Sequence, residues 1–153
     1  MSRLVNSLLL VLLGINISLA AENIKIVNAC INEAPPNVKV FAGYLDIIND
    51  NDKPIELVRA SSPVFEKVEF HVTRVSQGIT SMQQQANILI PAKSTFSFSP
   101  GQYHLMLFNN KQPVRQGDTI PLELVFADGE SIHIGMQVKH VVPGENIHHH
   151  QDR

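Results

Sequence analysis

The chain predicts an all-β, antiparallel fold, either a sandwich or a Greek-key barrel. Three observations carry this expectation. Short runs rich in Val, Ile, Phe and Leu recur along most of the chain, polar turn chemistry separates them, and no window holds a sustained 3.6-residue apolar period. With 153 residues and a single cysteine, the chain has material for one core and none for an internal disulfide.

In chain order, the predicted strands are 24–27, 38–48, 55–58, 64–75, 86–90, 95–99, 104–108, 119–126 and 131–141. Pro35-Pro36 separates the first two, and Asn49-Asp50-Asn51-Asp52 ends the second. Ser61-Ser62-Pro63 closes the third, and the segment 81–86 is short enough to be read as a helical turn. Ser99-Pro100-Gly101, Asn109-Asn110, Gln116-Gly117-Asp118 and Asp128-Gly129 divide the remainder, each offering residues that tolerate turn geometry. In the last strand Ile132, Ile134, Met136 and Val138 alternate with His133, Gly135, Gln137 and Lys139. That period of two makes Met136 a core filler and turns His133 to solvent, while His140 closes the strand. Cys30 is read as a small, strand-borne core residue.

The N-terminus has a different character. Met1-Ser2-Arg3 precedes an apolar stretch from Leu4 to Leu19 whose uninterrupted part, Leu8 to Leu13, is far below the roughly 20 residues a bilayer span needs. The small residues around Ala20 then read as a secretory signal cleaved after Ala20. Cys30 lies too far beyond that site to carry a lipid anchor. The expected organisation is a signal peptide over 1–20, one β domain over 21–142 and a polar tail over 143–153, with export to the periplasm and no stable membrane insertion. The net charge of −2 and the lack of a basic cluster argue against nucleic acid as a partner.

The chemistry concentrates in two imidazoles and two thioethers, spaced His71-x10-Met82-x21-His104-x-Met106. Thioether sulfur favours soft ions, and a set without carboxylates disfavours hard ones, so these donors suit Cu(I). In an oxidising compartment methionine also escapes the disulfide chemistry that would consume a cysteine ligand. Alternation places Leu105 and Leu107 on one face of their strand and His104, Met106 and Phe108 on the other. If the leucines face the core, His104 and Met106 point outward side by side, with Cα atoms roughly 6.5 Å apart. His71 is expected outward as well, opposite Val68, Phe70 and Val72. His148, His149 and His150 in the tail are an auxiliary candidate site for Cu(II) or Zn(II). No nucleophile–base motif or open His/carboxylate metal cluster is present, so an enzyme is not expected. A blue-copper electron carrier would require a Cys near the C-terminal strands, where none exists.

This spacing resembles the signature of the PCuAC family of periplasmic copper chaperones. Ile90-Pro91-Ala92, Pro100-Gly101 before His104-Leu105-Met106-Leu107, and Gln116-Gly117-Asp118 before Pro121-Leu122-Glu123-Leu124 extend the similarity from about residue 24 to 141. Lys93 and Gln102-Tyr103 depart from it where glycines are common. The resemblance implies a cupredoxin-like β-sandwich holding one Cu(I) through His71, Met82, His104 and Met106. It also implies delivery to respiratory cytochrome oxidase, at the copper-site subunit of cytochrome c oxidase, beside a Sco-type chaperone. Copper sequestration for resistance would use the same site.

Overall fold

A computed structural model describes residues 23–35 and 37–141. The expected signal peptide and the His148-His149-His150 tail lie outside the described residues. The described chain forms β1 (Ile24–Asn32), β2 (Val40–Asn49), β3 (Ile55–Ser61), β4 (Phe65–Ser76), β5 (Ile79–Gln85), β6 (Ile88–Ile90), β7 (Ser94–Phe98), β8 (Tyr103–Asn110), β9 (Thr119–Phe126) and β10 (Ser131–Lys139). They join in one continuous sheet ordered β5-β4-β8-β2-β1-β10-β9-β3-β6, with β7 paired to β2 off that path.

The sheet closes over itself. Leu105 and Leu107 of β8 share one buried cluster with Leu122 and Leu124 of β9 and with Leu57, Ile90 and Phe65. β8 and β9 are four places apart in the strand order, so contact through side chains requires two facing layers. β2 makes the corner: Val40 to Gly43 pair with β8, whereas Leu45 to Asn49 pair with β7. Asn49 is fully buried and donates to the carbonyls of Lys53, Ile90 and Pro91, satisfying loop backbone that would otherwise be stranded. This is the all-β sandwich expected of the sequence.

Two local expectations change. The pairing is not wholly antiparallel, because β1 and β10 run parallel from Cys30↔Gln137 to Asn32↔Lys139. The two strands are far apart along the chain, so no short turn dictates their relative direction. Residues 81–86 form no helical turn: 81–85 belong to β5. Gln77 and Gly78 both have positive φ, +51° and +77°, and make a two-residue hairpin turn between the paired Ser76 and Ile79. The register then runs unbroken to Phe70↔Gln85. A seven-residue ladder outweighs one isolated helical turn, which must bear the cost of nucleation alone.

Candidate metal centre

The four soft donors reach one face of three adjacent strands through register. β4 and β8 pair antiparallel with His71 opposite His104 and Glu69 opposite Met106. β5 pairs with β4 so that Met82 lies opposite Thr73. Positions two apart share a face, so Glu69, His71 and Thr73 line up with Met106, His104 and Met82 on the side away from Leu105 and Leu107. The β4–β5 hairpin turn is therefore what brings Met82 to the histidines.

Three of the donors, Met82, His104 and Met106, line a cleft of about 230 Å3 whose other walls include Thr73, Ala42, Tyr44 and Gly101. The His71 ring stands beside it, its centroid 6.0 Å from that of His104 and 6.4 Å from that of Phe108. Exposure is graded across the site. Met82 is 58% exposed on the edge strand, whereas His104 is 6% exposed. The expectation that His104 points into open solvent is thus corrected. It does leave the leucine core, but Ala42 and Tyr44 of β2 wall the cleft on that same face and cover it.

The hydrogen bonds fix what the imidazoles offer. His71 Nε2 lies 2.8 Å from Glu69 Oε2, and His104 Nδ1 lies 3.1 Å from the Gln102 carbonyl oxygen. A carboxylate and a carbonyl only accept, so both ring nitrogens are the protonated ones. In a neutral ring the other nitrogen carries a bare lone pair. Those two atoms, His71 Nδ1 and His104 Nε2, are buried and have no hydrogen-bond partner. Buried polar atoms are normally satisfied, so two orphans on neighbouring rings mark a place prepared for something else. A soft cation that accepts imidazole nitrogen and thioether sulfur fits this donor set.

Glu69 was not singled out from the sequence. Its carboxyl sits below the usual carboxylate range, first because of the hydrogen bond from Lys67 and then because of the bond from His71. Lys67 Nζ is 2.8 Å from Glu69 Oε1 and 4.6 Å from the Phe108 ring centroid. The signal was present as a period of two, Lys67-x-Glu69-x-His71, on one strand face. Other assignments hold: Met136 is fully buried and His133 and His140 are exposed. Cys30 is 1% exposed, though it packs with Tyr44 and Val141 in a satellite cluster separate from the main core. The His148-His149-His150 tail is not part of the described structure.

The LpqE-like family is matched by residues 24–138, which include every strand but the last residue of β10. The chain belongs to the LpqE-like family. Among its relatives, a Leifsonia xyli subsp. xyli protein named as a lipoprotein, Lxx21020, is 31% identical over 99 residues, covering 64% of this chain and 60% of that protein. RP573 of Rickettsia prowazekii is 29% identical over 107 residues, covering 69% of this chain and 59% of the relative. The chain thus spans about three fifths of the length of these relatives. Among solved structures, the copper-bound PCuAC domain from PmoF2 superimposes with a TM-score of 0.68 at 22% identity, covering 80% of this chain and 97% of that domain. The Cu(I) form of DR1885 from Deinococcus radiodurans gives 0.65 at 26% identity, covering 84% and 85%. The fold of the LpqE-like chain is that of PCuAC domains, as the resemblance implied.

Proposed function

We propose that this chain is an exported Cu(I)-binding metallochaperone whose ligands are His71, Met82, His104 and Met106. The observation that carries the reading is the pair of orphaned ring nitrogens on cross-strand histidines, on the same sheet face as the two methionines. The likeness to copper-bound PCuAC and DR1885 structures supports the choice of metal. The lipoprotein name of the Leifsonia relative supports export, to the periplasm as the sequence predicts.

Copper is cargo here, so the site has to hold it and also let it go. Thioethers serve both needs, since they bind a d10 ion without titrating and without demanding a rigid geometry. The graded exposure gives release a direction. Met82, on the open edge strand, is the ligand a receiver displaces first, and the enclosed His104 is the last to let go. Incoming thiolates or imidazoles enter at the β5 edge, and the half-exposed Phe108 and Val40 border the docking surface. The receiver in this reading is the copper-site subunit of cytochrome c oxidase, with a Sco-type chaperone acting alongside. Catalysis is not part of the role.

The test is a Cu(I) titration against a competing chelator, followed by transfer to a purified oxidase copper-site domain. One high-affinity Cu(I) per chain, lost in Met106→Ala and handed to the oxidase domain, is the expected result. Unchanged affinity in Met106→Ala overturns the ligand assignment. Tight binding without transfer replaces the carrier by a sequestration protein.

A further inference from the structure

We propose that the two imidazoles bind copper through different ring nitrogens, Nδ1 of His71 and Nε2 of His104, and that Glu69 is the positioning residue that imposes this on His71. The inference rests on the Cu(I) reading above and adds to it a residue outside the four-donor set.

The backbone alone does not dictate the split. His71 and His104 are directly opposed residues on neighbouring antiparallel strands, so their Cβ atoms leave the sheet in the same direction. Their partners nevertheless lie at opposite ends of the rings. His104 is tied by Nδ1, the nitrogen nearer the backbone, to the carbonyl of Gln102 two residues earlier. His71 is tied by Nε2, the far nitrogen, to the carboxylate of Glu69 two residues earlier. One ring therefore presents its outer nitrogen and the other its inner one, and these are the two buried atoms without partners.

Glu69 is itself held. Its other oxygen takes the Lys67 ammonium, and its side chain is only 14% exposed, so the carboxylate is not free to swing away from the imidazole. It also lies opposite Met106 in the β4–β8 register, which ties His71's partner to the strand carrying two other donors. A carboxylate accepting from the remote N–H of a ligating histidine fixes ring orientation and raises the donor strength of the free nitrogen.

The experiment is nitrogen-15 NMR of histidine-labelled full-length protein, metal-free and with one equivalent of Cu(I), which is diamagnetic. In the metal-free wild type, His71 Nε2 and His104 Nδ1 carry the protons, and the His71 Nε2–H proton is shifted downfield by its carboxylate partner. Copper then moves the Nδ1 resonance of His71 and the Nε2 resonance of His104. Glu69→Leu loses the downfield proton and weakens Cu(I) binding by about 10–100-fold. Glu69→Gln, which keeps an acceptor, recovers most of the affinity. Loss of the His71 Nε2 proton on copper binding, with the larger nitrogen shift at Nε2, or full affinity in Glu69→Leu with its fold intact by amide spectrum, overturns the proposal while leaving the four-ligand site standing. If copper moves no ring nitrogen of His71 or His104, the copper-site reading itself falls, and this proposal with it.

Discussion

Replacing His104 with leucine separates a metal ligand from an ordinary buried histidine, because the two predict opposite signs for the stability of the metal-free protein. In the copper-free state His104 Nε2 is buried without a partner. An unsatisfied buried polar atom costs about 1–3 kcal/mol, and leucine removes it. The change also gives up the bond from Nδ1 to the Gln102 carbonyl, worth about 0.5–1.5 kcal/mol. That carbonyl is not orphaned in turn, since it also accepts from the Thr73 amide at 3.0 Å. Leucine is of similar bulk to histidine and lies against Tyr44, Ala42 and Met106, all lining the same cleft. The expected balance is a gain of about 1 kcal/mol, which for a domain of this size raises Tm by about 3–5 °C.

Urea unfolding of the metal-free proteins reads this directly, with equal m-values confirming that the unfolding transition is the same. Adding Cu(I) must reverse the order. Ligand at a hundredfold excess over Kd stabilises a binding protein by about 2.7 kcal/mol, and His104→Leu forgoes most of that. A variant that loses 1 kcal/mol or more without metal refutes the reasoning. So does one that copper stabilises as much as wild type. Either result makes His104 a satisfied structural residue and removes the main support for the site.

The remaining expectations follow from burial and charge. Met82→Ala weakens Cu(I) binding less than Met106→Ala in the same chelator competition and speeds transfer to an acceptor, because Met82 is 58% exposed while Met106 is half-buried between β4 and β2. Burial raises the Cys30 thiol above its ordinary value of 9.0, outweighing the lowering effect of Lys139. Its folded value therefore exceeds its unfolded one, so stability holds below pH 9 and is lost as pH rises through the folded value; urea midpoints measured from pH 7 to 10.5 should fall, and Cys30→Ser should flatten that fall. The same thiol should resist iodoacetamide until the domain is unfolded. Burial, and then Asp128, raise the Glu130 carboxyl above 4.5, and one of its oxygens is buried without a partner. Stability is therefore lost as pH rises past that range, so Glu130→Gln should melt higher than wild type at pH 7 and lose that advantage at pH 4.

Most of the fold was legible because the core strands obey a period of two that only one burial pattern satisfies. Leu105-x-Leu107 and Leu122-x-Leu124 are fully or almost fully buried, as alternation requires. The β4–β5 hairpin was not legible in the same way. β5 is exposed along nearly its whole length, so Ile79 to Gln85 carry no hydrophobic alternation, and the only local signal is the Gln77-Gly78 turn. Donor identity was legible from side-chain chemistry and spacing. Donor environment was not, because what covers His104 comes from β2, some sixty residues earlier, and is set by register rather than by local pattern. Lys93 shows the converse: it departs from a glycine common at that place and adopts φ +51°, the left-handed conformation for which glycine is suited.

The placement of the weakest element bears on how such a site can work. A site enclosed on all sides would hold copper well and surrender it slowly, because every ligand would have to leave through packed structure. Here three of the proposed donors stand on β4 and β8, inside the sheet, and one stands on β5, at its edge. β5 contributes little to the core, so displacing Met82 disturbs no buried packing. The interior strands keep the other three donors in register while that happens, since β4 and β8 share a ladder from Phe65↔Asn110 to Val72↔Tyr103. On the proposed reading, retention falls to the interior strands and release to the exposed edge strand. Extending the sheet beyond β5 tests this division, because β5 is the edge strand next to β4. A peptide strand that pairs along β5 should slow copper transfer without changing chelator-measured affinity, and an unchanged transfer rate with the edge covered would show that the edge is not the exit.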